Sequence, residues 1–376
     1  MAKKRFNDLS PAEETRALDL HRRSIFVNGL EPSSLHCFDE AFLENIKASG
    51  MTVANKTVIL HELRNQNDFR LGPNHDSLLS KVGDYVRFAT KHADRVMLVD
   101  SVEDIFEAKR SGKYGIILGL QDAASMGDDI NALAALDRLG IRILQLSYST
   151  RSKLADGCGE KSDAGLSLLG FEVIKEMNRL GMVVDMSHCG HRSTMDAIEA
   201  SKDPIIFSHA NAYAIYPVAR NKTDEAIKAL ANKGGVIGCM GYAPSVQKKD
   251  VPTIEDYLDH IDHIVKLVGP DFVGVGVDYP HHYATPEWGQ YMQKAYSTAY
   301  TISKAQIALR GMTVKELDAV ELYPNITRGL VARGYSDSDI EKILGGNFMR
   351  IFKAVWKQRP SVKRENKEWR AAQLAS

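Results

Sequence analysis

The sequence predicts a (β/α)8 barrel, the TIM-barrel form of an α/β fold, with a helical insertion after strand 2 and a helical C-terminal region. Three observations carry this expectation. Short β-branched runs alternate with helix-length amphipathic segments along most of the 376 residues. The runs are almost continuously apolar, as strands covered on both faces of a parallel sheet are. Eight such runs, each followed by a crossover segment, favour a closed barrel over an open doubly wound sheet.

The strand candidates are, in order, Ser24–Asn28, Met51–Leu60, Gly115–Gln121, Gly140–Tyr148, Met182–His188, Pro204–His209, Gly235–Tyr242 and Phe272–Asp278. Arg95–Asp100 is a further short run, read as an accessory strand. Between them, Asp128–Leu139, Ala164–Leu180, Thr223–Lys233 and Thr253–Val268 carry helical patterns. In Ala164–Leu180, residues Leu168, Phe171, Ile174 and Met177 recur at three-residue spacing as one apolar stripe, and Gly181 is a plausible stop. Phe69–Ser111 reads as the helical insertion. After Asp278 the pattern is mainly helical, through Gly345–Trp356, and the basic tail 357–376 is expected to be peripheral. No internal repeat or low-complexity stretch interrupts the chain, so residues 1–376 read as one domain.

Composition narrows the function. Hydrophobic residues make up 44% and charged residues 26%, and 48 Lys+Arg balance 48 Asp+Glu to zero net charge. That balance argues against nucleic acid and against electrostatic membrane binding. No apolar run approaches the roughly 20 residues needed to span a bilayer. The charged N-terminus has no secretory core. Cys37, Cys158, Cys189 and Cys239 show no CxxC spacing and suit a reducing compartment. A cytoplasmic enzyme acting on a small molecule is the default expectation.

A parallel barrel places its chemistry at the carboxyl ends of its strands, and those positions here are Gln121, Tyr148, His188, His209 and Asp278. His188 and His209 each close a strand in a Ser-His pair, 21 residues apart, one strand–helix–strand unit. Adjacent strands about 4.8 Å apart let two imidazoles reach one ion; the bland alternative is that each caps its strand. Asp278 is costly to bury without a cation or donors and could ligate a metal or act as general base. Its alternative is a helix cap. Arg220, in the loop after His209, could clamp a carboxylate or simply be solvated. His281 and His282 read as exposed loop residues.

The runs VVDMSHCG, IIFSHANAYAIYPVARN, DHIDHIVKLVGPDFVGVGVD and GGNFMRIF, in order along most of the chain, resemble the membrane (renal) dipeptidase family, metal-dependent barrels of the amidohydrolase type. Members commonly carry two zinc ions and cleave dipeptides. The resemblance implies that His188 and His209 hold one metal, that Asp278 matches a carboxylate of the other, and that Arg220 binds the substrate carboxylate. It also marks departures. The family's HxD pair falls on Asn28-Gly29-Leu30-Glu31-Pro32, its bridging glutamate on Gln121, and a substrate-facing histidine on Tyr148. A carboxamide is a poor bridge between dications. The expectation is a mononuclear site: one divalent ion, zinc, on His188 and His209 with Gln121 as a weak third ligand. Asp278 would then be the base, and Tyr148 would contact substrate and stabilise the oxyanion. Glu31, Glu62 and Asp122 are candidate replacement ligands; the His36/Asp39 pair is another, and Cys189 is discounted because it should point away from the mouth.

Two functions follow. One is a dipeptidase-like hydrolase of a small amide or peptide bearing a free carboxylate. The other is a family member that has lost hydrolysis and uses the same pocket for binding or non-hydrolytic chemistry. The resemblance also suggests a homodimer or larger homo-oligomer.

Overall fold

In the computed structural model, eight parallel strands close on themselves. They are described with their surroundings over residues 4–33, 35, 38–58, 75–279, 298–299, 306 and 312–357. The strands are β1 (Val27–Glu31), β2 (Val53–Thr57), β3 (Val96–Leu98), β4 (Tyr114–Leu120), β5 (Ile141–Gln145), β6 (Val183–Asp185), β7 (Ile206–Phe207), β8 (Val236–Cys239) and β9 (Val273–Val275). They run β2-β1-β9-β8-β7-β6-β5-β4, and a β2–β4 pairing shuts the ring. The ninth, β3, is the accessory strand expected at Arg95–Asp100. It pairs with Tyr114–Ile116 of β4, while β5 pairs with the later residues Leu118–Leu120.

The helices are α1 (Pro11–Arg23), α2 (Glu40–Ala48), α3 (His75–Lys91), α4 (Val102–Ser111), α5 (Ala132–Arg138), α6 (Leu168–Leu180), α7 (His191–Ala200), α8 (Asp224–Asn232), α9 (Ala243–Val246), α10 (Ile254–Val268), α11 (Pro324–Ala332), α12 (Asp337–Glu341) and α13 (Asn347–Val355). The expected insertion after strand 2 therefore holds α3, β3 and α4. Residues 69–74 of it, and 358–376 of the tail, lie outside the described residues.

Two sequence expectations need correction. Helix α6 begins at Leu168, not Ala164, because the Ser167 hydroxyl accepts from Gly170 N and caps it there. Its buried face is Gly170, Val173, Ile174 and Met177, whereas Leu168 is 88% exposed and Phe171 40%. Steps of three residues drift about 60° around a helix with each step, so the 168-171-174-177 run winds off the core face. Most strands are also shorter than the apolar runs, while β1 and β4 keep the expected length but shift, β1 three residues later and β4 one earlier. At the end of β6, the Asp185 carboxylate accepts from Ser187 N at 3.0 Å, a local turn that replaces the ladder before His188 is reached.

The barrel is filled from below. Val27, Val53, Ile117, Ile143, Val183, Ile206 and Val236 cluster with Phe348, Phe352 and Val355 of α13. That helix lies across the amino ends of the strands. Asn347 donates to Pro270 O and Val273 O, and Arg350 to Gly234 O and Asp271 O, all at the approaches to β8 and β9. A Cβ at Gly274 would strike the Phe348 ring, and one at Gly29 or Gly238 would meet Ser208 O first and the same ring next. Large residues close the amino end, and the polar interior positions are left for the opposite mouth.

Candidate active site

Three nitrogen atoms meet where β4, β6 and β7 end. His188 Nε2 lies 2.9 Å from His209 Nε2, and the Gln121 carboxamide nitrogen lies 3.1 Å from the same His209 atom. All three side chains are buried. The far nitrogens are held as well: Ser149 Oγ is 2.8 Å from His188 Nδ1, and Ser208 Oγ is 2.8 Å from His209 Nδ1. Burial holds His209 well below the usual imidazole range, helped by the nearby charges of Arg220 and Lys222, so the ring is neutral.

The loop after β5 braces His188 twice. Tyr148 stacks on its ring with centroids 4.1 Å apart and planes 25° from parallel. Ser149 then turns back with φ 59°, in the left-handed region, and brings its hydroxyl to Nδ1. Beneath His209, the Asp185 carboxylate accepts from the hydroxyls and amide nitrogens of both Ser187 and Ser208.

Arg220 is fully buried, and its terminal nitrogens donate to Ser187 O at 2.6 Å and His209 O at 2.7 Å. In this arrangement it ties the ends of β6 and β7 together. Lys222, also buried, donates to Met186 O, Cys189 O and Thr194 Oγ1 on the same side, and burial lowers it to about 8.

Asp278 follows β9 with φ 57°, its amide donating to Leu30 O at 3.3 Å. Burial raises its carboxyl to about 7; Arg220 pulls it down and Glu31 pushes it further up. Among the described residues, no three His, Cys, Asp or Glu side chains gather in a group able to hold an ion, so Asp278 does not join the two imidazoles as a third ligand.

The described candidates for replacement ligands have contacts of their own. Glu31 accepts from Ser33 N and lies 3.7 Å from the Lys56 ammonium, both through Oε1, while its buried Oε2 makes no hydrogen bond among the described residues. Asp122 accepts from Ala124 N, and Asp39 caps α2 through Phe42 N. The Cys189 thiol points to Ser147 O, and burial pushes it up to about 12. His36, Glu62, His281 and His282 lie outside the described residues.

Comparison with known proteins decides the family. The model of the membrane dipeptidase family, Peptidase family M19, matches residues 44–293 and 309–366. The chain belongs to the membrane dipeptidase family. It is 28% identical over 302 residues to dipeptidase tcpJ of Claviceps purpurea, covering 78% of this chain and 64% of that protein. It is 31% identical over 275 residues to an uncharacterized dipeptidase of Schizosaccharomyces pombe, covering 71% of this chain and 59% of that one. This M19 chain thus spans less than two thirds of the length of those two relatives. An amidohydrolase from Pseudomonas aeruginosa superposes with a TM-score of 0.81 at 29% identity, over 91% of this chain and 99% of that one. A metallo peptidase from Rhodobacter sphaeroides, liganded with a phosphinate mimic of the dipeptide L-Ala-D-Ala, shares the fold with a TM-score of 0.72 at 18% identity, over 89% and 100% of the two chains.

A metallopeptidase family raises the question of whether this M19 chain's donors fit an ion. Two imidazoles with Nδ1 atoms tied to hydroxyls and Nε2 atoms 2.9 Å apart, with a carboxamide beside them that can present its oxygen once the amide is turned, fit one first-row divalent cation. Among the described residues the positions of a second ion's usual donors are altered: Leu30 and Pro32 carry no donor side chain, and Glu31 meets Ser33 and Lys56 through Oε1 alone. Sequence reasoning singled out His188, His209 and Gln121 but missed Asp185, Ser149, Lys56 and Lys222. A carboxylate or an ammonium inside an apolar strand run was the available signal for Asp185 and Lys56. Nothing in the sequence signalled Ser149.

Proposed function

We propose that this chain is a metal-dependent, dipeptidase-like hydrolase of a small amide or peptide that bears a free carboxylate. His188, His209 and Gln121 would hold a single divalent ion, zinc, which supplies Lewis acidity toward the scissile carbonyl. The observation that carries this reading is the 2.9 Å approach of two buried Nε2 atoms at the mouth of a dipeptidase-family barrel.

The chain's own residues supply the rest. Asp278, raised to about 7, takes a proton from the attacking water and returns it to the leaving amine. Such a base works best when its pKa lies near the operating pH. The Tyr148 phenol, fixed by its stack on His188, supports oxyanion stabilisation and substrate contact. Arg220 and Lys222 put two buried positive charges beside His209, a potential that favours an anionic substrate group. The dipeptide mimic on the Rhodobacter relative supports a substrate of that size.

The test is metal analysis of protein purified without chelator, with dipeptide turnover measured alongside. About one ion per chain, lost in His188→Ala, with hydrolysis of dipeptides, is expected. No ion, and no turnover when zinc, manganese or cobalt is added, overturns the reading. Gln121 in place of a carboxylate favours the second reading, a pocket that no longer hydrolyses. One bound ion with no dipeptide turnover would select it.

A further inference from the structure

Five groups around the centre form one hydrogen-bonded chain whose direction can be worked out from its ends. The Asp185 carboxylate can only accept. Ser187 Oγ lies 2.6 Å from its Oδ1, and Ser208 Oγ lies against its Oδ2, so both hydroxyls donate to it. Ser208 has then used its only proton. The 2.8 Å contact between Ser208 Oγ and His209 Nδ1 must therefore be an Nδ1–H donating to the serine oxygen.

A neutral imidazole protonated at Nδ1 has a bare Nε2. Its two neighbours agree: the Gln121 amide nitrogen at 3.1 Å and His188 Nε2 at 2.9 Å both approach that lone pair. The His188 Nε2 must then carry a proton, which, when the ring is neutral as at alkaline pH, leaves its Nδ1 to accept from the Ser149 hydroxyl at 2.8 Å. The Cys158 thiol stands behind Ser149 at 3.9 Å and completes the same direction.

We propose that Asp185, acting through Ser208, is the positioning residue that sets His209 in its Nδ1–H tautomer, so that its Nε2 is a ready-made ligand before any ion arrives. His188 is set the opposite way. Loading a divalent cation requires His188 to move its proton from Nε2 to Nδ1, with Ser149 turning to accept it, and Gln121 to turn its amide so that the oxygen replaces the nitrogen near His209 Nε2, while the His209 tautomer does not change. No proton leaves the pair. Outer-shell partners of metal-binding histidines typically control affinity by ten- to a hundredfold, so Asp185 governs how tightly the cation is held without touching it. The inference rests on the metal-site reading above but not on hydrolysis, because the tautomers exist in metal-free protein.

The experiment uses the full chain, ¹⁵N-labelled at histidine, stripped of metal and held at alkaline pH, with the two tautomers distinguished by long-range ¹H–¹⁵N spectra. His209 is expected as Nδ1–H and His188 as Nε2–H; after zinc is added, both become Nδ1–H. Asp185→Asn and Ser208→Ala should each give His209 substantial Nε2–H character and weaken cobalt(II) binding at least tenfold. A wild-type His209 protonated at Nε2, or a tautomer unmoved in the variants, overturns the proposal. Should Asp185→Asn fail to fold, Ser208→Ala removes one oxygen and decides the question in the same way. If the tautomers are as assigned and dipeptides are not cleaved, the hydrolase reading fails and this inference stands.

Discussion

Replacing Gln121 by glutamate tests whether the carboxamide belongs to the centre. Its side chain is buried at the end of β4, with the amide nitrogen 3.1 Å from His209 Nε2. An ion shared by the two imidazoles would lie within about 4 Å of the new carboxylate, given metal–nitrogen distances near 2 Å. At an effective dielectric of about 20, opposite unit charges at that separation attract by about 4 kcal/mol, and a dication doubles this. Burial holds the new carboxyl protonated in metal-free protein, and losing that proton on loading takes back several kcal/mol. A net gain of roughly 1.5–3 kcal/mol remains, a ten- to hundredfold lower Kd. Calorimetric titration of stripped protein with zinc or cobalt(II) reads this directly. Gln121→Leu should weaken binding severalfold in the same assay. Unchanged affinity in the glutamate variant would put Gln121 outside the centre and refute the ligand set.

Four further outcomes are expected. Hydrolysis should rise with pH through about 7 as Asp278 loses its proton, and Asp278→Asn should abolish that limb and cut kcat by roughly 10²–10⁴-fold. The same raised pKa means that this group favours the folded state at acid pH, a contribution lost as pH rises from the ordinary carboxyl value of 3.8 to about 7; denaturant midpoints across that window, compared with Asp278→Asn, read it. Arg220→Lys cannot span Ser187 O and His209 O together and should cost about 1.5–3 kcal/mol in chemical denaturation; a raised KM with unchanged stability would instead make the guanidinium a substrate clamp. Lys56→Met strands the buried Glu31 carboxylate and should cost roughly 3–5 kcal/mol, most of it recovered when Glu31→Gln is added.

How much of this was legible depended on which physical signal each part leaves in a sequence. All eight barrel strands and the accessory one stand within or beside their apolar runs, because burial on both faces demands near-continuous hydrophobicity. Their ends were not legible, since side chains such as Asp185 compete with the ladder for backbone groups. The meeting of His188, His209 and Gln121 could be anticipated because strand order and strand ends are topological facts. The clasp made by Arg220 could not be. The same loop residue can face solvent, substrate or carbonyls, and spacing does not distinguish them. Leu168 misled for a related reason: a hydrophobic residue at helical spacing is compatible with either side of the first turn.

The stopper helix α13 has a consequence for biosynthesis. It contributes Phe348 to the interior and binds the approaches to β8 and β9, yet it is translated after every strand of the ring. A nascent chain with all its strands outside the ribosome still lacks the residues that seal their lower rim. Its glycine-lined interior, at Gly29, Gly238 and Gly274, stays open to water until about one more helix emerges. Stalled or prematurely terminated chains ending before Asn347 should therefore engage chaperones and proteases far more than full-length ones, although none of the residues around His188 and His209 has been removed.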